Sequence, residues 1–280
     1  MIFDGKAVAA EVQATLAADT RMFPRPPRLD IILVGSDPAS EAYVKRKQAF
    51  GESVGATVVL HAFTESEKSG AELVRSIVDI VRDPQTDGVL IQLPLPAALR
   101  DYTRVLLDAI PTEKDVDALS SAAIGRFISE NGLVLPTMIR VVDGILKRHA
   151  VDLFGKRIAL VGAGGELVGK PVALWLLTQD IPFAAITKHT PPAEMRSILA
   201  RADIIISGAG KAGLITADMV KSGVIAIDAG TSGSSGALKG DMDSAIAEKA
   251  ELFTPVPGGV GPMTVAMLFQ NLFILVKQKK

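Results

Sequence analysis

No cysteine occurs anywhere in the chain. That excludes disulfides, thiolate nucleophiles and cysteine-ligated zinc, and it fits a reducing cytoplasm. Nor is there an excess of either charge: 30 basic residues face 31 acidic ones, for a formal net charge of −1. The balance leaves no electrostatic footprint for nucleic acid and no acidic tail. The opening stretch, MIFDGKAVAAEVQ, lacks a basic segment followed by a long apolar one, so a signal peptide is not expected. Internal repeats and low-complexity segments are absent. The most apolar stretch, Thr264 to Val276, is interrupted by Gln270 and Asn271 and is too short to span a bilayer, so a buried helix is expected there. These absences point to a cytoplasmic protein with no nucleic-acid partner, no membrane partner and no metal centre.

A hydrophobic content of 48% is ample for a core, and 280 residues suit one large domain or two ordinary ones. In the N-terminal half, RLDIILVG, ATVVLHAF and DGVLIQLPLP read as strands. They alternate with helices in PASEAYVKRKQAFGESVG and SGAELVRSIVDIVRD. Strands alternating with helices imply parallel pairing in an α/β sheet. The pattern weakens from Lys114 to Ser129, and a helix is expected from about Thr137 to His149. The alternation then restarts with KRIALVGAGG, PFAAIT, ADIIISGAG and VIAIDAG, as a second α/β domain would require.

In the second half, RIALVGAGGELVGKPVALWLL sets Gly162, Gly164, Gly165 and Gly169 between an apolar strand and a helical pattern. This is close to the dinucleotide fingerprint G-x-G-x-x-G, with the last glycine two positions late. Such a loop provides a tight turn, a bare backbone and a helix N-terminus facing a pyrophosphate; a purely structural turn is the alternative. Gly162, Ala163, Gly164 and Gly169 are the candidate cofactor contacts. NAD sites usually carry an acid at the end of the next strand, for the ribose 2′-hydroxyl. Here Thr187, Lys188, His189 and Thr190 follow instead; Lys188 and His189 suit a 2′-phosphate, with ordinary exposed polar residues as the alternative. The expected cofactor is therefore NADP, with NAD possible.

The first half has its own polar features. Tyr43 and Lys47, four apart on one helix, share a face, whereas Lys45 and Arg46 point off it. Gln92 ends an apolar strand, where ligands of open α/β sheets gather. Asp115 and Asp117 lie in EKDVDAL. A lysine desolvated beside an aromatic ring has a lowered pKa and can transfer protons. A solvated helix face, a sheet edge and a turn cap are the bland alternatives for Lys47, Gln92 and the aspartates respectively. Near the C-terminus, FTPVPGGVGPMTVAML packs three prolines and three glycines between Pro255 and Pro262, at the start of a helix.

Taken in order, VGSDPASEAYVKRKQAFGESVGA, DGVLIQLPLP, PTEKDVDAL and TPVPGGVGPMTVAML resemble the bifunctional methylenetetrahydrofolate dehydrogenase/cyclohydrolase family over nearly the whole chain. The resemblance implies a two-domain α/β fold: an N-terminal folate domain and a Rossmann-like dinucleotide domain, joined by long helices. The boundaries it suggests are residues 1–136 with 264–280 for the folate domain and 137–263 for the NAD(P) domain. It implies oxidation of 5,10-methylenetetrahydrofolate with NAD(P)⁺, then hydrolysis of the methenyl product to 10-formyltetrahydrofolate. In that scheme Lys47 transfers protons, Gln92 holds Lys47, Tyr43 lies against the folate, and Asp117 accepts the pteridine's N–H groups. Gly258, Gly259 and Pro262 would lie beside the substrate and nicotinamide, and Thr231 near the cofactor. A homodimer through the cofactor domain is also implied. The sequence departs from the family's pattern in having DVDA where DVDG is usual, LPTMIRV before the connecting helix, a glycine loop one residue longer, and IDAGTSG after the fourth strand of the second half. The alternative is a folate-binding homologue with one activity or neither.

Overall fold

The computed structural model describes residues 1–65, 69–232 and 238–279. In chain order the helices and strands are α1 (Gly5–Thr20), β1 (Arg28–Val34), α2 (Pro38–Ser53), β2 (Thr57–Phe63), α3 (Gly70–Arg82), β3 (Gly88–Ile91), α4 (Thr103–Asp108), α5 (Ser121–Ile128) and α6 (Thr137–Arg148). They continue as β4 (Ile158–Val161), α7 (Gly169–Thr178), β5 (Phe183–Ile186), α8 (Pro192–Leu199), β6 (Ile204–Ser207), β7 (Ile225–Asp228), β8 (Leu252–Phe253) and α9 (Val260–Gln278). The chain divides into two compact units, one of Ala10–Thr137 with Val265–Lys280, the other of Met1–Ala9 with Met138–Thr264.

The first unit holds a parallel sheet in the order β2-β1-β3. Its central strand alternates between two cores. Leu29, Ile31 and Leu33 face a cluster with Leu90, Leu268, Phe269, Leu272 and Phe273. Ile32 and Val34 face another with Leu73, Ile77, Val89, Ile91 and Leu106. Burial on both faces explains why these strands read as continuous apolar runs. Helix α9 is longer than the apolar run that announced it, 19 residues in all, and by length and composition would suffice to cross a bilayer. Its Leu268, Phe269, Asn271, Leu272 and Phe273 are instead buried in this unit.

The second unit holds a five-stranded parallel sheet in the order β5-β4-β6-β7-β8. One of its faces buries Ala159, Val161, Ile205 and Ala226 against Leu199, Met242 and Ile246. The first nine residues belong here, although the sequence-based boundary grouped them with residues 10–136. The backbone supplies the reason. The Phe3 N–H donates to the Phe253 carbonyl at 2.8 Å, and the Phe253 N–H donates to the Met1 carbonyl at 2.9 Å, which adds Ile2 beside β8. Where the pattern weakens after Lys114, the chain forms the short α5, capped by the Ser120 hydroxyl accepting from the Ala123 N–H. Eight residues are too few for periodicity to register.

Candidate active site

Chain order places a reversal in each sheet: the strand after β1 pairs on one side of it and the next on the other, and the same holds around β4. Ligands of open α/β sheets bind at such reversals, outside the carboxyl ends of the strands.

In the first unit that position is occupied by α2 and the end of β3. The Asp37 carboxylate accepts from the Ser40 N–H at 2.9 Å, and Pro38 opens the first turn, so the helix starts where the sequence says it should. The buried residues of α2 are Ser40, Val44, Lys47 and Gly51, a single stripe at helical spacing. Lys47 thus takes a core position, 7% exposed, while Lys45 and Arg46 are exposed. Its ammonium donates to Gln92 Oε1 at 2.8 Å. Gln92 sits one residue past β3; its N–H donates to the Ile32 carbonyl, and its side-chain amide donates to the Leu93 carbonyl at 2.8 Å. The amide is thereby oriented, with its oxygen kept for the lysine. Tyr43 is half-buried one turn before Lys47, with the Arg46 guanidinium 5.4 Å from its ring centre.

Asp117 is half-buried and close enough to Lys47 for each to act on the other's titration. Burial pulls the Lys47 ammonium down to about 8 against the opposing charge of Asp117. Burial likewise raises Asp117, opposed by Lys47 and by a hydrogen bond from the Thr137 hydroxyl. Both groups are pushed toward their neutral forms, so the pair is poised for proton movement rather than locked as ions. Asp115 is different. It is buried, raised to about 6 chiefly by burial, and its carboxylate accepts from the Ser120 N–H at 2.8 Å. It closes the turn that presents Asp117.

Two residues of this site, Thr137 and Asn271, escaped sequence reasoning. Thr137 needed its tertiary partner to be seen. Asn271 is fully buried, and its amide donates to the carbonyls of Val116 at 2.8 Å and Leu135 at 2.9 Å, fixing the strand of chain before Asp117. Its signal was a polar residue inside an apolar run. Ala118 stands at φ +51, the left-handed region where an alanine is strained and a glycine is not.

In the second unit the reversal lies between β4 and β6. Gly162, at φ +78, turns the chain out of β4, and a methyl there would stand 2.8 Å from the Ala209 backbone. Gly169 opens α7; a methyl on it would overlap the Gly162 carbonyl and come within 2.6 Å of the Ala163 carbonyl carbon. Gly164 is exposed, with nothing within 4 Å of where a methyl would be. The turn is therefore closed by glycine on its inner side and open on its outer one. Such a bare loop before a helix N-terminus fits a pyrophosphate. Lys188 and His189 are exposed in the turn after β5, the strand paired with β4. Thr231 is exposed after β7; Gly233 of the IDAGTSG stretch lies outside the described residues.

The proline- and glycine-rich loop belongs to the same unit. Gly259 is bare because the protein itself needs the space: a methyl there would stand 2.7 Å from the Pro255 carbonyl oxygen and 2.9 Å from Thr254 Cβ. Gly5, at the start of α1, is bare in turn because a methyl on it would overlap the Gly259 carbonyl, and its N–H donates to the Gly258 carbonyl at 3.0 Å. Gly258, at φ +113, has open space where a side chain would be. Pro262 lies in the first turn of α9. Among the described residues no cluster of histidine and carboxylate side chains could hold a metal ion.

Residues 3–117 match the family described as tetrahydrofolate dehydrogenase/cyclohydrolase, catalytic domain. Residues 136–280 match that family's NAD(P)-binding domain. The chain is 37% identical to the bifunctional protein FolD of Aquifex aeolicus over 100% of its length and 96% of the relative's. Among solved structures it is similar to the bifunctional FolD methylenetetrahydrofolate dehydrogenase/cyclohydrolase of Campylobacter jejuni, with TM-score 0.91, 34% identity and coverage of 100% and 99%. It is also similar to the Trypanosoma brucei FolD enzyme solved with NADP cofactor and inhibitor, with TM-score 0.92, 29% identity and coverage of 100% and 98%.

Proposed function

The chain belongs to the tetrahydrofolate dehydrogenase/cyclohydrolase family, and on that premise we propose how its residues divide the work. The enzyme oxidises 5,10-methylenetetrahydrofolate to the methenyl cation with NADP⁺ and hydrolyses that cation to 10-formyltetrahydrofolate. The observation that carries the assignment is Lys47, buried in the core stripe of α2, bonded to Gln92 and facing the charge of Asp117.

The dinucleotide, when bound, would supply the acceptor for the hydride leaving the methylene carbon. Gly162, Ala163 and Gly164 seat its pyrophosphate, Gly169 starts the helix beneath it, and Lys188 and His189 meet its 2′-phosphate. Thr231 is assigned to the cofactor, and Gly258, Gly259 and Pro262 to substrate contact. Tyr43 packs on the folate's aromatic system, and Asp117 accepts the pteridine's N–H groups. In hydrolysis, neutral Lys47 takes a proton from the water that attacks the methenyl carbon. It returns that proton to N5 as the C–N5 bond breaks, and the second water proton leaves as the formyl carbonyl forms. A lysine near pKa 8 has a neutral fraction at physiological pH, and a cationic substrate beside it favours that neutral form further. The absence of cysteine fits a cytoplasmic location, and the family resemblance alone supports a homodimer through the cofactor domain.

The reading is tested by the absorbance of reduced nicotinamide with methylenetetrahydrofolate as substrate, run with NADP⁺ and NAD⁺ in parallel. A charge-assisted phosphate contact favours NADP⁺ by roughly tenfold to a hundredfold. Equal or better turnover with NAD⁺ contradicts the role given to Lys188 and His189. No reduction of either cofactor contradicts the dehydrogenase reading as a whole.

Asp117→Asn tests the electrostatics of the pair. Removing the carboxylate removes what holds the Lys47 ammonium up, so its pKa drops further below about 8. The inflection of the cyclohydrolase pH–rate profile is expected to move to lower pH, while folate KM rises at least several-fold from the lost pteridine contact. An inflection that stays put, or moves up, rules out this coupling.

A further inference from the structure

Two buried carboxylates sit together in the five-stranded unit, and none of the chemistry above uses them. Asp241 is fully buried. Its Oδ2 accepts from the Ser207 hydroxyl at 2.7 Å and from the Ala209 N–H at 2.6 Å, and its Oδ1 accepts from the Lys211 N–H at 2.7 Å. Asp228, at the end of β7, accepts from the N–H groups of Gly230 at 2.9 Å, Asp241 at 3.2 Å and Met242 at 2.9 Å. The packing is tight: a methyl on Gly230 would overlap the Asp241 carboxyl, and one on Gly240 would overlap that of Asp228. Burial chiefly, with the Asp241 charge contributing, pushes the Asp228 carboxyl up to about 6. Housing two carboxylates so close is a cost that a simple turn cap does not require.

What Asp241 holds is the loop after β6. Ala209, Gly210 and Lys211 are exposed on the outside, so their fixed points lie beneath, at this carboxylate. The same loop supports the glycine turn. The Gly208 N–H donates to the Val161 carbonyl at 2.9 Å, Ala209 fills the place of the missing methyl of Gly162, and the side chain of Val168 fills that of Gly208. Both ends of the 162–169 turn therefore rest on backbone that Asp241 pins.

We propose that Asp241 is a positioning residue for the dinucleotide site, its carboxylate fixing residues 207–211 as the platform under the glycine turn. The inference rests on the reading of that turn as the NADP⁺ seat. Charge and acceptor capacity matter here more than shape. Asparagine has the same outline, but whichever oxygen its NH₂ replaces meets a backbone N–H, that of Lys211 or of Ala209. The Ser207 hydroxyl can rotate to accommodate it; a peptide N–H cannot.

The experiment is titration of NADP⁺ into full-length Asp241→Asn and wild-type protein by calorimetry, with cyclohydrolase kcat/KM and Tm measured alongside. The expected result is an NADP⁺ Kd at least tenfold weaker, with cyclohydrolase kcat/KM within twofold of wild type. Unchanged NADP⁺ affinity in the folded variant overturns the inference. So does an equal loss of cyclohydrolase, which marks a general packing residue. Failure of the wild-type protein to bind NADP⁺ overturns instead the reading of the glycine turn. If Asp241→Asn does not fold, Ser207→Ala removes the hydroxyl donor alone. It is expected to weaken NADP⁺ several-fold with cyclohydrolase intact, and no weakening overturns the proposal.

Discussion

Lys47→Met is expected to slow cyclohydrolase by roughly a hundredfold or more, whereas Lys45→Met and Arg46→Met leave it near wild type. The three residues are consecutive, and the contrast comes from the helix. Lys47 lies on the buried stripe of α2 with Ser40, Val44 and Gly51, while its two basic neighbours are exposed. Surface substitutions are usually neutral within about 0.5 kcal/mol. Methionine keeps the apolar length of the lysine in its buried channel and deletes only the proton-transfer group and its bond to Gln92. Hydride transfer needs positioning and no proton relay, so reduced cofactor should still appear while methenyltetrahydrofolate accumulates. Stopped-flow absorbance at the two chromophores separates the species. Equal harmlessness of all three substitutions removes the folate site from this helix.

The second large effect concerns two glycines five residues apart. Gly169→Ala is expected to cost at least about 2 kcal/mol of stability, because the new methyl meets backbone rather than a movable side chain. Thermal unfolding should fall by several degrees, and NADP⁺ binding with it. Gly164→Ala points its methyl into open space at an ordinary backbone angle, so Tm should hold within a degree or two. Its NADP⁺ affinity should nonetheless drop, since the methyl occupies the outer side of the turn where a pyrophosphate would lie. Calorimetric melting and NADP⁺ titration of both variants distinguish a packing glycine from a ligand-facing one. Wild-type NADP⁺ affinity in Gly164→Ala would sink the assignment of the turn.

The alternation of strands and helices was legible in the sequence because both faces of each parallel sheet are buried, which writes the strands as unbroken apolar runs. The spacing of Tyr43 and Lys47 was legible because helical geometry is local. That Lys47 is buried was not, since Lys45, Arg46 and Gln48 disguise the stripe and only Gln92, just past the end of β3, shows why a lysine can lie there. The same limit hid Thr137 and Asn271, whose partners are distant in sequence. Nothing local marks Asp228 or Asp241; their role exists only once β6, β7 and the 240–242 segment meet. The loop of Pro255 to Pro262 was legible as rigid and bare, but not that Gly5, far away in sequence, must be bare to admit the Gly259 carbonyl. Ala118 shows the converse. The sequence flagged an alanine where the family has glycine, and the backbone there does take the left-handed turn that glycine favours.

The division of the chain also sets an order on its synthesis. The three-stranded unit draws Leu268, Phe269, Leu272 and Phe273 from α9 to cover Leu29, Ile31 and Leu90. A ribosome adds about 5–20 residues per second, so one face of that sheet waits roughly ten to thirty seconds after β3 is made before its cover arrives. The five-stranded unit needs nothing beyond Thr264 and can close earlier. The nascent chain thus completes its second unit before its first, carrying an unfinished apolar face that chaperones can recognise until α9 is released.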